Sequence, residues 1–463
     1  MRGPGFSAPA LWSDRTKLMA DALGKVGSLA AGMPEEPERM RQMLRFFAPV
    51  VATGVLMAFS YTAVMAGLNR TLQPAVAVAA YALAFNLAVV IEAPIVMLRQ
   101  TVLVLVNTPE DLRLLSRLAA AMALALCGLQ ALLAIGPWGM YVLGHWLGIP
   151  SALLGPTQVA LAGLLPLQIL SAIRYVCHGL LLRAKQTHFI SLGMGARVLT
   201  TTLAIPVLLH WPGLGSLLAS TALVLGMVVE TVIDVWRARV AGGIHQTSVG
   251  DAVPLTTVGV VSFLGPLAAM GVVECLAAPV RNAGLARAAQ PELVLAAFSL
   301  TWTIVSMVIP PLQNLHQVAV VFGTESRAWA SIRRFFFWVA VVATAIAALL
   351  GWSPLGQWIL EAVLGASAEI VDAATQNLRW LTPLPALLVV GDYIIGKMLI
   401  ARRTTVLVAG KLANLGVTAL AAVGVGMLAT RWGPGVGAVI VLSGAVAEAV
   451  VLGLGQMIVA SGR

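Results

Sequence analysis

Arg174, Arg197 and Lys411 stand inside long apolar runs, where a charge is costly and marks either a functional site or a structural pair. Arg174 precedes Arg183, the basic end of its run, by nine residues, which places it roughly 13 Å along a helix. His178 follows one turn later on the same face. Lys411 is placed like Arg197 in a later run and has Asn414 three residues on; Arg281 and Asn282 close another, and Gln313, Asn314 and His316 line part of the next. The planar guanidinium fork binds carboxylate or phosphate bidentately. Arg174, His178, Arg197, Arg281, Asn282, Gln313, Asn314, Lys411 and Asn414 are therefore candidates for a basic, hydrogen-bonding cavity between two lobes, suited to a polyanion. The alternative for each alone is a neutralised carboxylate partner or a snorkelling side chain. His178 and His316 fit hydrogen-bonded bundle positions more readily than proton carriers.

The acidic candidates for coupling or charge pairing are Glu92, Glu274 and Asp392, the last with Lys397 or Arg174 as partner. Arg281 follows Glu274 by two helical turns on one face. Glu230 and Glu448 lie within two turns of basic ends and are expected to balance Arg237 or the interface. None of these groups builds a catalytic constellation. The six histidines are scattered, no HExxH or Ser-His-Asp arrangement is evident, and the closest approaches to a phosphate loop, such as Gly410-Lys411-Leu412, lack the hydroxyl that holds magnesium. Cys127, Cys177 and Cys275 are isolated, which suggests neither a disulfide framework nor a metal knot. The expectation is no enzyme, no metal, and no cofactor beyond H+ or Na+ as a coupling ion.

The elements that must position these residues follow from composition. Of 463 residues, 59% are apolar and 10% charged, whereas a soluble domain carries about a quarter charged residues. Twelve runs long enough to cross a bilayer lie near 44–68, 75–98, 114–136, 157–182, 188–210, 213–236, 255–280, 291–318, 334–352, 377–400, 404–429 and 434–460. Most Lys and Arg residues fall in the termini and the even-numbered connections, as at Arg183/Lys185 and Arg402/Arg403. The positive-inside rule then places both termini in the cytoplasm of a multi-pass plasma-membrane protein. The net charge of +10 is largely this topology signal, so no nucleic-acid partner is expected. Residues 1–43 read as a cytoplasmic tail, either a short interfacial helix, whose spacing they carry, or a mobile segment. Residues 44–240 form an N-lobe, 241–254 a cytoplasmic linker and 255–463 a C-lobe.

The lobes are copies. At an offset of 217, Pro49 meets Pro266, Gly54 meets Gly271, Arg70 meets Arg287, Gln73-Pro74 meets Gln290-Pro291, Pro94 meets Pro311 and Gln100 meets Gln317. Further along, an offset of 218 pairs Tyr175 with Tyr393, Thr187 with Thr405, Gly226 with Gly444 and Glu230 with Glu448, and makes Asp392 the mate of Arg174. Six spans per copy is an even number, so the copies are parallel. Carriers built this way bind substrate between lobes and expose it alternately by rocking.

Two segments resemble known families. Gln317-Val-Ala-Val-Val-Phe-Gly323 through Arg333-Arg334 resembles the corresponding segment of multidrug and toxic-compound extrusion (MATE) transporters and the MOP superfamily around them. Leu68-Asn69-Arg70, Tyr81-Ala-Leu-Ala84, Pro94, Val104-Leu-Val-Asn107 and Cys177-His178-Gly179 through Arg183 are similar to the first half of the progressive ankylosis protein family, with support from Pro266-Leu-Ala268, Pro279-Val-Arg-Asn282 and Pro383-Leu-Pro385. The resemblance implies an all-α, twelve-helix, two-lobe exporter of small polyanions such as pyrophosphate, nucleotide phosphates or citrate. A cation-coupled drug extruder and a flippase of lipid-linked saccharides are the alternatives. The expected partners are the bilayer and a small anionic substrate, with a monomeric chain.

Overall fold

The computed structural model describes residues 36–461 except 148, 241–254, 289, 307, 324–327, 365 and 433–434. The tail before residue 36, read as an interfacial helix or a mobile segment, and the inter-lobe linker 241–254 lie outside these residues. Arg45–Arg463 form one compact unit, and of residues 1–44 those described, 36–44, are helical. No strand occurs among the described residues.

The N-lobe comprises α1 (Glu36–Leu68), α2 (Pro74–Val96), α3 (Leu98–Leu105), α4 (Pro109–Ala134), α5 (Gly136–Tyr141), α6 (Ser151–Gly163), α7 (Pro166–Arg183), α8 (Thr187–Leu208) and α9 (Leu217–Val240). The C-lobe comprises α10 (Thr257–Leu285), α11 (Pro291–Val305), α12 (Ile309–Leu312), α13 (His316–Phe322), α14 (Trp329–Trp352), α15 (Pro354–Trp358), α16 (Ala368–Trp380), α17 (Leu384–Ile400), α18 (Thr404–Trp432) and α19 (Val436–Ser461). Nine spans are long and apolar enough to cross a membrane, and two bent pairs, α11 with α12–α13 and α16 with α17, bring the number to eleven among the described residues. With α1, each of the twelve apolar runs has its helix. The bends of 54° and 40° coincide with Pro310-Pro311 and Pro383, which remove backbone donors and clash with the preceding turn. The outer faces carry exposed leucines such as Leu124, Leu203 and Leu420, as a lipid-facing surface requires.

Local geometry repeats with the sequence. α5 and α15 each run into a single π-turn, closed by Leu147 N–H on the Val142 carbonyl and by Leu364 N–H on the Ile359 carbonyl. α7 and α17 each stop before a residue in the left-handed region, Lys185 (φ 56°) and Arg402 (φ 55°). These landmarks hold an offset of 217 through the fourth and fifth spans, so the 218 register expected there is corrected. Asp392 corresponds to Tyr175 rather than to Arg174, and Thr187 corresponds to Thr404. The offset becomes 218 only in the last span. There Gly226 packs on Thr201 and the Arg197 backbone, and Gly444 packs on Thr418 and the Asn414 backbone.

The lobes meet through repeat-related positions. Gly54 approaches Pro310 and Pro311, while Gly271 approaches the Ala93 carbonyl and Met97. Arg99 Nη2 donates to Asn314 Oδ1 at 2.7 Å, and Gln100 Nε2 lies 3.3 Å from His316 Nε2. Phe46–Phe322 and Phe47–Phe335 add edge-on ring contacts.

Candidate functional site

A cavity of about 200 Å³ lies within the C-lobe, walled by α10, α11, α12, α17, α18 and α19. An adjoining chamber of about 30 Å³ shares Gln313, Lys411 and Glu448 with it and reaches Asp392. Every lining residue belongs to the C-lobe, whereas the cavity was expected between the lobes.

At its centre, Lys411 Nζ stands 3.0 Å from Glu448 Oε1 and 3.5 Å from Glu274 Oε1. Asn414 Nδ2 donates to Glu448 Oε2 at 2.8 Å, and Gln313 Nε2 donates to Glu274 Oε1 at 3.3 Å. Toward the C-terminal end of α10, the Arg281 guanidinium lies 4.3 Å from the Trp302 ring centre and 4.9 Å from that of Phe298. No carboxylate pairs with it among the described residues, and its Nε has no hydrogen-bond partner. Aromatic faces hold such a cation electrostatically without neutralising it. The lining carries two carboxylates (Glu274, Glu448) and two cations (Lys411, Arg281), so the expected basic cavity is corrected to one without net charge but with separated poles. The cause is Glu448, which the sequence reading placed at the interface and which the fold turns toward Lys411.

The N-lobe counterpart of this region is sealed by a buried network. Arg174 reaches Glu230 at 3.3 Å and Glu92 at 3.5 Å. Arg197 reaches the other Glu230 oxygen at 3.3 Å, and Ser171 Oγ donates to Glu92 Oε1 at 2.5 Å. His178 Nε2 lies 2.8 Å from Asp234 Oδ2. Arg174, His178, Arg197 and Glu92 therefore line no part of the cavity. Arg197–Glu230 and Asn414–Glu448 occupy equivalent positions in the two lobes; the N-lobe uses a cation where the C-lobe uses an amide.

The proposed pairing of Asp392 with Arg174 or Lys397 is overturned. Asp392 Oδ2 accepts the backbone N–H of His316 at 2.6 Å and lies 3.1 Å from its Nδ1, tying the bent eighth span to α17. A register error of one residue turns a side chain by about 100° around a helix, which is enough to exchange partners. Lys397 instead sits over the rings of Tyr393 and Trp329. Asn314 accepts from Arg99, and Asn282 is exposed. Of the candidates, Arg281, Gln313, Lys411, Asn414 and Glu274 come together in one chamber, with Asp392 beside it. Asp234 was missed, although its position four residues after Glu230 puts both on one helix face.

Residues 37–254 match the family described as progressive ankylosis protein (ANKH). That match takes in most of the N-lobe and the segment after it, just under half of the chain. The whole chain has the fold of MOP-superfamily transporters. It is similar to such a transporter from Pyrococcus furiosus, described as having a binding pocket of reverse polarity, at 15% identity and a TM-score of 0.71, covering 91% of this chain and 96% of that one. It is similar to an outward-facing multidrug resistance MATE family transporter at 14% identity, TM-score 0.66, covering 91% and 96%. It also resembles the bent form of the Vibrio cholerae MATE transporter VcmN at 11% identity, TM-score 0.69, covering 90% and 96%. Its many apolar helices make it a multi-pass membrane protein.

Proposed function

We propose that the protein is a secondary transporter that binds a small polyanion in the C-lobe cavity and exposes it alternately as the lobes rock. The observation that carries the substrate class is Arg281, a cation on the cavity wall 4.3 Å from the Trp302 ring centre and without a carboxylate partner among the described residues. Its free fork suits a carboxylate or phosphate. Lys411 and the amides of Gln313 and Asn414 offer further donors within the same chamber. A cavity of about 200 Å³ gives room for a small polyanion such as pyrophosphate or citrate. The lobes' approach at Gly54 and Gly271 supplies pivot points, and the fold and family support transport over catalysis. The reading includes a plasma-membrane location, cytoplasmic termini and a monomeric chain.

The test is efflux from proteoliposomes loaded with radiolabelled citrate or pyrophosphate. Arg281→Gln is expected to lower efflux at least tenfold, while Arg70→Gln, at the outer loop, leaves it within twofold. Equal efflux in wild type and Arg281→Gln overturns the assignment. A second reading rests on Glu274, whose side chain is 40% exposed on the cavity wall near Trp302. This suits a lipophilic cation, and dye extrusion lost in Glu274→Gln with no anion efflux would select it.

A further inference from the structure

The N-lobe network does not balance. Two guanidiniums, Arg174 and Arg197, face three carboxylates, Glu92, Glu230 and Asp234, and all five residues are buried, Glu230 and Asp234 completely. Arg174 spans Glu92 and Glu230, and Arg197 closes on Glu230. Asp234 is left with one hydrogen-bond partner, His178 Nε2. Its second oxygen, Oδ1, has none and lies against the space left by Gly193. A buried carboxylate facing only a neutral ring is costly, and one added positive charge restores neutrality.

We propose that the His178–Asp234 pair is a proton-binding site that makes the N-lobe the proton-coupling half of transport. The proposal rests on the transporter reading and supplies the coupling ion that it leaves open. The donor atoms of His178, Glu230 and Asp234 lie within 4.8 Å of one another, a spacing that also suits a metal ion. Two features argue for the proton. The direct Nε2–Oδ2 contact leaves no room for an ion between the groups, and Glu230 is already held by two guanidiniums that repel a cation.

Among the described residues the surroundings hold no other hydrogen-bond or ion-pair partner for the imidazole. On its own helix α7, Arg174 is committed to the glutamates, Tyr175 meets the ring edge-on at 5.9 Å, and Cys177 is buried beside it. α9 contributes Glu230 and, nearer its end, Arg239; α8 contributes Arg197; α2 contributes Glu92. His178 and Asp234 stand five and three residues before Arg183 and Arg237, roughly 5–8 Å from the basic ends of their helices. A chain of contacts then runs to the other lobe. The Arg174 guanidinium lies 4.6 Å from the Tyr175 ring centre, and Arg99 lies 5.9 Å from the same ring while bonding Asn314 across the lobe boundary.

The experiment uses proteoliposomes of the full chain with citrate or pyrophosphate, measuring gradient-driven flux and gradient-free counterflow exchange. Asp234→Asn leaves two guanidiniums against two carboxylates with a neutral imidazole, mimicking the protonated state. Wild-type flux is expected to be stimulated by a pH gradient and not by a sodium gradient. Asp234→Asn loses that stimulation and keeps counterflow within about twofold; His178→Gln, if it folds, loses the stimulation as well. Stimulation that survives in Asp234→Asn overturns the site, and sodium-driven flux overturns the choice of ion. If wild type moves neither anion, the substrate reading fails instead. The site is then judged by acid–base titration of purified wild type and Asp234→Asn, where coincident curves overturn it.

Discussion

Glu230 and Glu448 occupy equivalent positions in the two lobes, yet the fold gives them different burdens, and Glu→Gln at each measures the difference. Glu230 is fully buried and, among the described residues, is the sole carboxylate on Arg197 as well as a partner of Arg174. Glu230→Gln leaves Arg197 uncompensated and Arg174 dependent on Glu92 at 3.5 Å. Breaking a buried pair by removing one partner costs about 3–5 kcal/mol. Glu448 is on a cavity wall, 13% exposed, and Lys411 keeps Glu274 after its loss, so the cost there is about 1 kcal/mol or less. For 463 residues the unfolding entropy is about 1 kcal/mol per degree, so the expected drops in midpoint are about 3–5 °C and about 1 °C. The assay is thermal unfolding of the purified protein in one detergent, with Arg197→Gln/Glu230→Gln as the balanced control that recovers part of the loss. Equal drops at Glu230 and Glu448, or no recovery in the double variant, would refute the view that the N-lobe network is a closed charge balance.

Two further outcomes follow from close packing and from the lobe boundary. Gly226→Ala forces a methyl into Thr201 Oγ1 and the Arg197 carbonyl and is expected to cost about 1–3 kcal/mol, whereas Gly128→Ala, with open space around it, is not destabilising; thermal midpoints compare them. Arg99→Gln removes a charge-assisted hydrogen bond across the lobes, worth about 1.5–3 kcal/mol, and is expected to shift the ratio of lobe arrangements about tenfold or more, read by distance measurements between spin labels on α3 and α13.

Much of this protein was legible in one dimension. The twelve apolar runs became helices because a chain in lipid must satisfy its backbone within each span. The duplication was visible because Pro, Gly, Gln and Arg survived at nearly one offset, and the resemblance to a known family showed in short polar segments. Five of the candidates, Arg281, Glu274, Gln313, Lys411 and Asn414, share a chamber. Their partners were not legible. Whether offset 217 or 218 applied in the tenth span could not be told from identities alone, and that single residue moved Asp392 from Arg174 to His316. Glu448 looked like an interfacial charge until α19 packed it beside Lys411, and Asp234 stayed unremarked until α7 brought His178 to it. Sequence determines which residues resist lipid, because that cost is local to each span. Only tertiary packing decides which opposite charges meet, because helix rotation and depth are set by neighbours distant in the chain.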